Sequence, residues 1–339
     1  MKFKKVGNSG LIVSDLSLGT MLFGEESGRG TSKEEAIKQV DYYIDQGGDH
    51  IDTANVYAAG RSEEILGKAI KGKRDKVTIA TKVRFPKGEG NHEQGLSRLH
   101  IVSEVENSLR RMDTDHIDLY YMHCWDPLTP IEESLDAFDQ LVTSGKVRYI
   151  GVSNFKAWQL MKSLGLCENN GWARFVGAQY QYSLVKRDIE YEYVDLMEQE
   201  GLSLLPWGPL GGGFLSGKYK ADQKPDEASG GRIGTTEEHT EEAWERRATA
   251  QNWRVLEKVE KIAKERGTGH AQIAIAWLRS KSYVASVILG ARTFDQLKAN
   301  MESATIDLTP EEVTVLDEIS TLPELYPYRM IEAYAMRSL

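Results

Sequence analysis

Residues 50–67 read HIDTANVYAAGRSEEILG and pass from a short apolar strand into a helix. His50–Asp52 has the pattern of a buried strand, and the residues from Arg61 onward have that of a helix. Between them lie Asp52 and Tyr57, in a connection whose shape requires neither an acid nor a phenol. The stretch therefore predicts a strand-to-helix unit whose junction carries chemical groups.

The same alternation of short apolar runs and longer helical segments continues over most of the 339 residues. Such alternation is typical of parallel strands connected by helices. Eight candidate strands follow an N-terminal hairpin of residues 3–6 and 11–13. They are Leu16–Leu18, His50–Asp52, Val77–Ala80, Ile117–Met122, Tyr149–Val152, Val176–Gln179, Ser203–Leu205 and Val287–Leu289. Eight such units predict one α/β domain over residues 1–339, a closed (β/α)8 TIM barrel, and the length suits that fold.

Several helix starts are marked in the sequence. Ser32 with Glu35 and the run Thr129-Pro130-Ile131-Glu132 both have the pattern of a capping box, and the second adds proline at the first helical position. The run Thr309-Pro310-Glu311-Glu312 opens a further helix near the C-terminus.

Three segments lie outside the eight units. Residues 243–266 follow the seventh strand and have a helical pattern that ends at Gly267. Residues 220–242 are polar and Gly-rich, too long for an ordinary connection, and are predicted to form a mobile lid. Residues 321–339 form an aromatic C-terminal tail.

Composition excludes several classes of function. The formal net charge of −9 would repel a phosphate backbone, so nucleic acid is not an expected partner. There is neither a signal-peptide pattern nor an apolar run of the ~20 residues that span a bilayer, so a cytoplasmic protein without a membrane segment is expected. The two cysteines predict no disulfide framework, and His and Cys spacing predicts no metal site.

Polar residues follow the predicted strands at the ends where a TIM barrel carries its active site. Strands two to six are followed or ended by Asp52, Lys82, His123, Asn154 and Gln179, with Tyr57 in the loop after Asp52. Because those strand ends meet at one rim, the sequence predicts that these side chains converge.

A lysine beside a tyrosine predicts acid catalysis. A free phenol has a pKa near ~10, but an ammonium ~4 Å away favours the phenolate by about 4 kcal/mol at an effective dielectric of ~20, or roughly three pKa units. We therefore expect Lys82 to make Tyr57 a general acid near the working pH, with Asp52 keeping Lys82 charged. His123 would orient a carbonyl oxygen toward Tyr57. A second reading is a Schiff base on Lys82, as in barrel aldolases, although a lysine kept charged is a poor nucleophile.

These residues resemble the aldo-keto reductase family. The matching segments are DTANVYAAGRSEEILG (52–67), IATK (79–82), IDLYYMH (117–123), GVSNF (151–155), PWGPLGGGFLSGKY (206–219) and ILGARTFDQLKAN (288–300), together with Gln179. The resemblance spans nearly the whole chain. It implies a carbonyl-reducing oxidoreductase with NADPH as hydride donor and with Asp52, Tyr57, Lys82 and His123 as its catalytic tetrad.

The resemblance also implies the cofactor contacts. They are Thr20, Met21, Asp52, Ser153, Asn154, Gln179, Trp207, Gly208, Pro209, Leu210, Gly211, Gly213, Lys218, Gly290, Arg292, Thr293, Gln296 and Asn300. Trp207 would stack on the nicotinamide, and residues 208–218 would wrap the pyrophosphate. Arg292 and Thr293 would meet the 2′-phosphate, which favours NADPH over NADH, while Thr293 with Gln296 is also a capping box.

The implied substrate contacts are Phe23, Tyr57, Phe85, His123 and Trp125, which suggest a pocket that tolerates aromatic groups. Ala58 stands where the family often has glycine. Ala299 replaces a carboxylate that the family often uses against adenine.

Two nucleotide-binding motifs are incomplete or absent in this sequence. Residues 212–218, GGFLSGK, fit GxxxxGK, but Tyr219 follows where a P-loop needs Ser or Thr, and no GxGxxG opens a helix after a strand. Relatives with this pattern include channel-associated proteins that sense NADPH. The alternative function is therefore an NADPH-binding regulatory subunit with little turnover.

Overall fold

A short antiparallel hairpin precedes the barrel in the computed structural model, which describes residues 1–25, 30–221, 223–225, 233 and 243–335. Strand β1 (Phe3–Lys5) pairs with β2 (Ile12–Ser14). Beside it, Val6, Leu11 and Val13 pack against apolar side chains from inside the barrel. The hairpin therefore closes the N-terminal end of the barrel, where the sequence predicted one.

Eight parallel strands form the barrel wall. In chain order they are β3 (Leu16–Gly19), β4 (His50–Asp52), β5 (Thr78–Val83), β6 (Ile117–Met122), β7 (Val147–Ser153), β8 (Phe175–Gln179), β9 (Ser203–Leu204) and β10 (Val287–Gly290). Their order in the sheet is β10-β3-β4-β5-β6-β7-β8-β9, so strands consecutive in the chain are neighbours.

The two ends of this sheet meet through backbone hydrogen bonds. The N–H of Leu204 in β9 donates to the carbonyl of Tyr283 at 2.8 Å, and the N–H of Ala285 donates back to Leu204 at 2.9 Å. Beyond them, the N–H of Ile288 in β10 donates to the carbonyl of Pro206 at 3.0 Å. The predicted (β/α)8 barrel is therefore confirmed.

Twelve α-helices lie within the described part of the chain. They are α1 (Lys33–Asp45), α2 (Arg61–Ala69), α3 (Arg98–Met112), α4 (Ile131–Thr143), α5 (Ala157–Asn170), α6 (Tyr193–Glu200), α7 (Trp244–Arg247), α8 (Ala250–Arg266), α9 (His270–Ser280), α10 (Phe294–Met301), α11 (Pro310–Ile319) and α12 (Tyr328–Tyr334). Each long helix buries one apolar stripe. In α3, for example, Ile101, Val105, Leu109 and Met112 recur at helical spacing and are all buried.

Element boundaries differ from the sequence prediction in ways that matter for the site. Strand β5 runs to Val83, so Lys82 lies within the strand and not after it. The predicted helix over residues 243–266 is two helices, α7 and α8, because Thr249 caps a new helix by accepting the N–H of Asn252 at 3.2 Å. Gly267 ends α8 with φ of 64°, as predicted.

One predicted helix cap is wrong. Thr129 does not cap α4, because its hydroxyl donates to Asp126 at 2.7 Å, and Pro130 takes the capping position without a side-chain hydrogen bond. The Ser32 hydroxyl accepts the N–H of Glu35 as predicted. The Glu35 carboxylate, however, accepts the N–H of Phe294 at 2.6 Å instead of completing the box. Thr293 and Thr309 each form a full box.

Two predicted surface segments lie partly outside the described residues: most of the predicted lid at 220–242 and the last four residues of the tail. The described tail packs on the barrel, where the Tyr328 ring stacks 5.1 Å from that of Tyr191. None of the helices seen in the described ranges is long and apolar enough to cross a membrane.

Candidate active site

Strand alternation brings the polar residues to one rim. Ala80, Leu119 and Tyr121 belong to the cluster that fills the barrel interior. Because side chains two residues apart in a strand share a face, Lys82 and His123 continue the inward faces of β5 and β6. Both lie at the C-terminal ends of their strands, so they border the mouth of the barrel.

Lys82 is the centre of the site. Its fully buried Nζ donates to Asp52 Oδ1 at 2.5 Å, to the carbonyl of Thr53 at 2.7 Å and to the Tyr57 hydroxyl oxygen at 3.3 Å. Asp52 ends the neighbouring strand β4, aligned with Ala80, which explains why it reaches the ammonium. The structure thus brings together three of the predicted tetrad through direct hydrogen bonds.

The charge of Lys82 is stabilised despite its burial. Burial is the largest single influence and by itself would lower the pKa of Lys82, but the charges of Asp52 and Tyr57 and their hydrogen bonds outweigh it and raise the pKa above its ordinary value. An ammonium with all three hydrogens engaged has no lone pair for attack on a carbonyl carbon. This geometry weighs against the Schiff-base reading.

A strained turn positions Tyr57. Ala58 and Ala59, the two residues after Tyr57, have φ of 46° and 54°, and Gly60 follows with φ of 98° before α2 begins. Left-handed conformations cost non-glycine residues roughly 1–2 kcal/mol each. The departure at Ala58, where the family often has glycine, therefore falls on a position that glycine would occupy without strain.

His123 closes the other side of the mouth. Its ring lies 6.0 Å from that of Tyr57 and 4.7 Å from that of Phe85, edge to face in both cases. Its carbonyl accepts a hydrogen bond from the Asn154 amide at 2.9 Å. Burial holds the pKa of His123 well below its ordinary value, and the charges of Lys82 and Arg84 lower it further. The imidazole is therefore neutral at pH 7 and has one N–H to donate.

Three more predicted residues form the floor of the mouth. The Ser153 hydroxyl donates to the carbonyl of Gln179 at 2.7 Å, and the Asn154 amide donates to the Ser153 hydroxyl at 2.9 Å. The Gln179 amide donates to Asp52 Oδ2 at 2.7 Å. This last contact joins the opposite walls of the barrel and was not foreseen from the sequence.

A buried cluster of charged side chains behind the rim was also not predicted from the sequence. Glu63, fully buried in α2, accepts from the Thr81 hydroxyl at 2.5 Å and from Arg111 Nε at 2.6 Å. Arg111 also reaches Glu104, which accepts from the Asn55 amide at 2.7 Å. Thr81 and Asn55 flank the predicted catalytic positions, so this cluster fixes the backbone that carries them. Its only sequence signal is an acid on the buried face of a helix.

The residues predicted to bind the pyrophosphate and the adenosine phosphate lie in two segments, the loop of residues 208–218 and residues 290–300. The loop after β9 turns tightly, with φ of 66°, 56° and 95° at Gly208, Gly211 and Gly213. Lys218 ends this loop, and burial followed by the positive charge of Arg292 lowers its pKa. Two cations close enough to oppose each other's charge favour an anion between them. This observation fits the phosphates of a dinucleotide.

The other predicted contacts lie within these two segments. Arg292 directly precedes the capping box of α10. The Gln296 side chain accepts the backbone N–H of Arg292 at 2.9 Å, and the Thr293 hydroxyl accepts the backbone N–H of Gln296 at 3.3 Å. Pro209 and Asn300 are buried, Leu210 is half-buried and Gly290 is exposed. All of these assignments remain predictions.

The predicted nicotinamide and ribose contacts differ in exposure. Half-buried Trp207 is held beside the end of β8, because its backbone N–H donates to the carbonyl of Tyr180 at 3.0 Å. Met21 is exposed, whereas Thr20 is buried with its hydroxyl 2.7 Å from that of Ser62.

The predicted substrate contacts differ in their surroundings. Phe85 lies against His123, and the Trp125 ring lies 5.0 Å from that of Phe155. Phe23 is fully buried in the main core. Its contact with a substrate stays a prediction.

Comparison with known proteins gives a consistent result. A model of the aldo/keto reductase family matches residues 15–321. An uncharacterized oxidoreductase, YrpG, of Bacillus subtilis (strain 168) is 36% identical over 97% of this chain and 100% of its own length. A probable voltage-gated potassium channel subunit beta of Oryza sativa subsp. japonica is 34% identical over 97% of this chain and 98% of its own length. An aryl-alcohol dehydrogenase [NADP(+)] of Phanerodontia chrysosporium is 32% identical over 94% of this chain and 86% of its own length.

Proposed function

The chain belongs to the aldo/keto reductase family, and from that premise we propose that it is an NADPH-dependent oxidoreductase that reduces aldehydes or ketones to alcohols. One observation carries the proposal: the Tyr57 hydroxyl lies 3.3 Å from a buried ammonium that is itself paired with Asp52. The comparisons support the broader class of oxidoreductase. The carbonyl substrate and the direction of reaction are part of the proposal.

The chain supplies the proton for the reduction. Tyr57 donates its hydroxyl proton to the carbonyl oxygen, and the Lys82 ammonium stabilises the phenolate that remains, by about 4 kcal/mol at ~4 Å and an effective dielectric of ~20. Neutral His123 donates its one N–H to the same oxygen and orients it toward Tyr57. Asp52, held by Gln179, keeps Lys82 charged throughout.

The chain also has residues suited to the cofactor. When bound, the nicotinamide of NADPH supplies the hydride that attacks the carbonyl carbon. Ser153, Asn154 and Gln179 would hold its carboxamide, and Lys218 and Arg292 would hold phosphates. Support for NADPH comes from the relative named aryl-alcohol dehydrogenase [NADP(+)] and from the two opposed cations.

The test is a turnover assay. The purified protein is mixed with NADPH and a panel of aromatic and aliphatic aldehydes, and the absorbance of the reduced nicotinamide is followed, with NADH in parallel. We expect sustained oxidation of NADPH with at least one aldehyde and slower oxidation of NADH. No turnover with any aldehyde would count against an enzyme.

A second function is favoured by one comparison. The relative named as a probable potassium channel subunit beta suggests an NADPH-binding regulatory subunit. This function predicts tight NADPH binding and oxidation of the bound cofactor once only. Rapid mixing of the protein with stoichiometric NADPH and excess aldehyde separates the two, since an enzyme continues when more NADPH is added and a regulatory subunit stops.

A further inference from the structure

Arg84 lies at the mouth and has no part in the tetrad. It follows β5 directly, two residues beyond Lys82, and its carbonyl accepts the N–H of Gly95 at 2.8 Å. Its φ is 153°, a conformation that residues with a side chain rarely adopt. Ala58 and Asn154, beside the catalytic residues, also have positive φ. Strain of this kind clusters at functional sites, which directs attention to the Arg84 side chain.

The surroundings of Arg84 place its guanidinium on the β5–β6 side of the mouth. The guanidinium carbon lies 5.5 Å from the centre of the Phe85 ring, and that ring lies against His123. The positive charge of Arg84 also acts on His123, Cys124 and Asp126. A group bound to Arg84 would therefore lie near the oxygen-binding side chain of the site.

Within the described ranges, Arg84 has no carboxylate within ion-pair distance, and its buried Nε has no hydrogen-bond partner. Asp126, on which the charge of Arg84 acts, is already engaged by other donors. Its oxygens accept from the N–H of Leu96 at 2.8 Å, the N–H of Leu128 at 3.1 Å and the Thr129 hydroxyl at 2.7 Å.

Four other arginines that are at least partly buried are arranged differently. Arg74, Arg111, Arg187 and Arg279 each pair with a carboxylate. A half-buried guanidinium with an unsatisfied donor is unfavourable by itself, because it has lost water without gaining an acceptor. An acceptor brought by a ligand would remove this deficit.

We propose that Arg84 binds the carboxylate of the substrate, so that the substrate class is a carbonyl compound that also carries a carboxylate. The planar fork of a guanidinium matches the two oxygens of a carboxylate. The Phe85 ring beside it suits a flat spacer such as a benzene ring. This inference rests on the proposed reductase function and names its substrate class.

The test compares acids with their uncharged esters. The 2-, 3- and 4-carboxybenzaldehydes and their methyl esters present the same aldehyde with and without the anion. We expect at least one acid to exceed its ester in kcat/KM by about ten- to a hundredfold, the range of a hydrogen-bonded charge pair. In Arg84→Met this preference should fall to near unity through a higher KM for the acid, while kcat/KM for the ester, which carries no anion, should change much less.

A matched control removes the same charge elsewhere. Arg148 is exposed near the start of β7, at the end of that strand away from the mouth, so Arg148→Met should keep the preference. Arg84→Lys keeps a charge without the fork and should retain only part of it. If the wild-type protein reduces every acid no better than its ester, the proposal is overturned without reference to any variant.

An equilibrium measurement separates this proposal from the proposed function. Calorimetry with NADP⁺ present compares the binding of the three hydroxymethylbenzoates with that of the three methylbenzyl alcohols. If no aldehyde is turned over, the reductase function fails, yet tighter binding of a benzoate that disappears in Arg84→Met still supports the anion site. Equal binding of the charged and uncharged alcohols overturns it.

Discussion

Two buried ion pairs stand at opposite ends of the barrel and differ in their surroundings. At the mouth, the side chains of Lys82 and Asp52 are 0% and 4% exposed, and at the base those of Arg279 and Asp15 are 4% and 1% exposed. Burial is therefore the same in both. The difference is in the partners that complete each cation.

At the base every acceptor around the cation is fixed. Arg279 binds Asp15 through Nε at 2.8 Å, and its other nitrogens donate to the carbonyls of Ser303, Ala304 and Ile306. Asp15 also accepts the N–H of Lys2 at 3.1 Å, which ties in the N-terminal hairpin. This pair cross-links the closing segments of the chain and contains nothing that reacts.

At the mouth one acceptor is the phenol that we propose as the proton donor. Lys82 donates hydrogen bonds to Asp52 and to the Thr53 carbonyl, and its third hydrogen bond goes to the Tyr57 hydroxyl oxygen. The comparison teaches that a buried charge pair alone does not identify a catalytic site. The titratable third partner and its position at the strand ends do so.

Removing the phenolic hydroxyl should have the largest effect. In Tyr57→Phe we expect kcat to fall by roughly 10²–10⁴, the usual contribution of a general acid. The ammonium keeps two acceptors, so the free energy of unfolding and NADPH affinity should stay near the wild-type values. Steady-state kinetics with titration of intrinsic fluorescence by NADPH measures both. Turnover close to that of the wild type would show that Tyr57 is not the general acid.

Breaking the base pair should instead unfold the protein more easily. Arg279→Met leaves the Asp15 carboxylate buried without a counter-charge, which costs about 3–5 kcal/mol. Urea unfolding measures the loss, and kcat measured well below the unfolding midpoint should be unchanged. Asp15→Asn/Arg279→Met is the control and should recover part of the stability, because no unpaired charge remains. If Arg279→Met alone is as stable as the wild type, the ion pair between Arg279 and Asp15 does not stabilise the fold.

Stability should decline in acid because of buried histidines at both ends. Burial lowers the pKa of His50 at the start of β4, of His100 in α3 and of His123 at the mouth, each from an ordinary value of 6.5. Above that pH all three are neutral whether the chain is folded or unfolded. Below it the unfolded chain takes up protons that the folded chain excludes, so the free energy of unfolding falls as pH decreases.

Chemical denaturation between about pH 5 and 7.5 measures this decline, with each unit of pKa difference equivalent to about 1.4 kcal/mol. His50→Asn should flatten the decline with kcat retained, and His123→Asn should flatten it with kcat/KM reduced. An unchanged slope in both variants would mean that other groups produce the acid sensitivity.

The smallest effect is expected at the edge of the base. Lys4 Nζ donates to the carbonyls of Arg279 and Val284, both at 2.8 Å, from a partly exposed position. Lys4→Met should cost about 1 kcal/mol of unfolding free energy, because water replaces part of what is lost. Thermal unfolding and the turnover assay together check it. A loss of activity in this variant would mean that the base and the mouth are coupled.

Much of the fold followed from local patterns. The short apolar runs and the helical stretches between them placed all eight strands, with ends that differ by at most three residues, because burial on both faces makes each run apolar by itself. The predicted cap at Thr129 and the predicted continuous helix across Ala248–Thr249 are wrong. In the first case Asp126 attracts the hydroxyl, and in the second a threonine cap competes with helical periodicity.

The sequence by itself determined the strand-and-helix alternation and the identity of the polar residues at the strand ends, since both depend on neighbours along the chain. Only the tertiary structure decided which of these residues touch. Gln179 reaches Asp52 across 127 positions, Glu63 meets Arg111 across 48, and Arg84 has no carboxylate partner among the described residues. The physical reason is barrel closure, which brings distant strand ends to a common rim and pairs buried donors with acceptors through contacts that no local pattern contains.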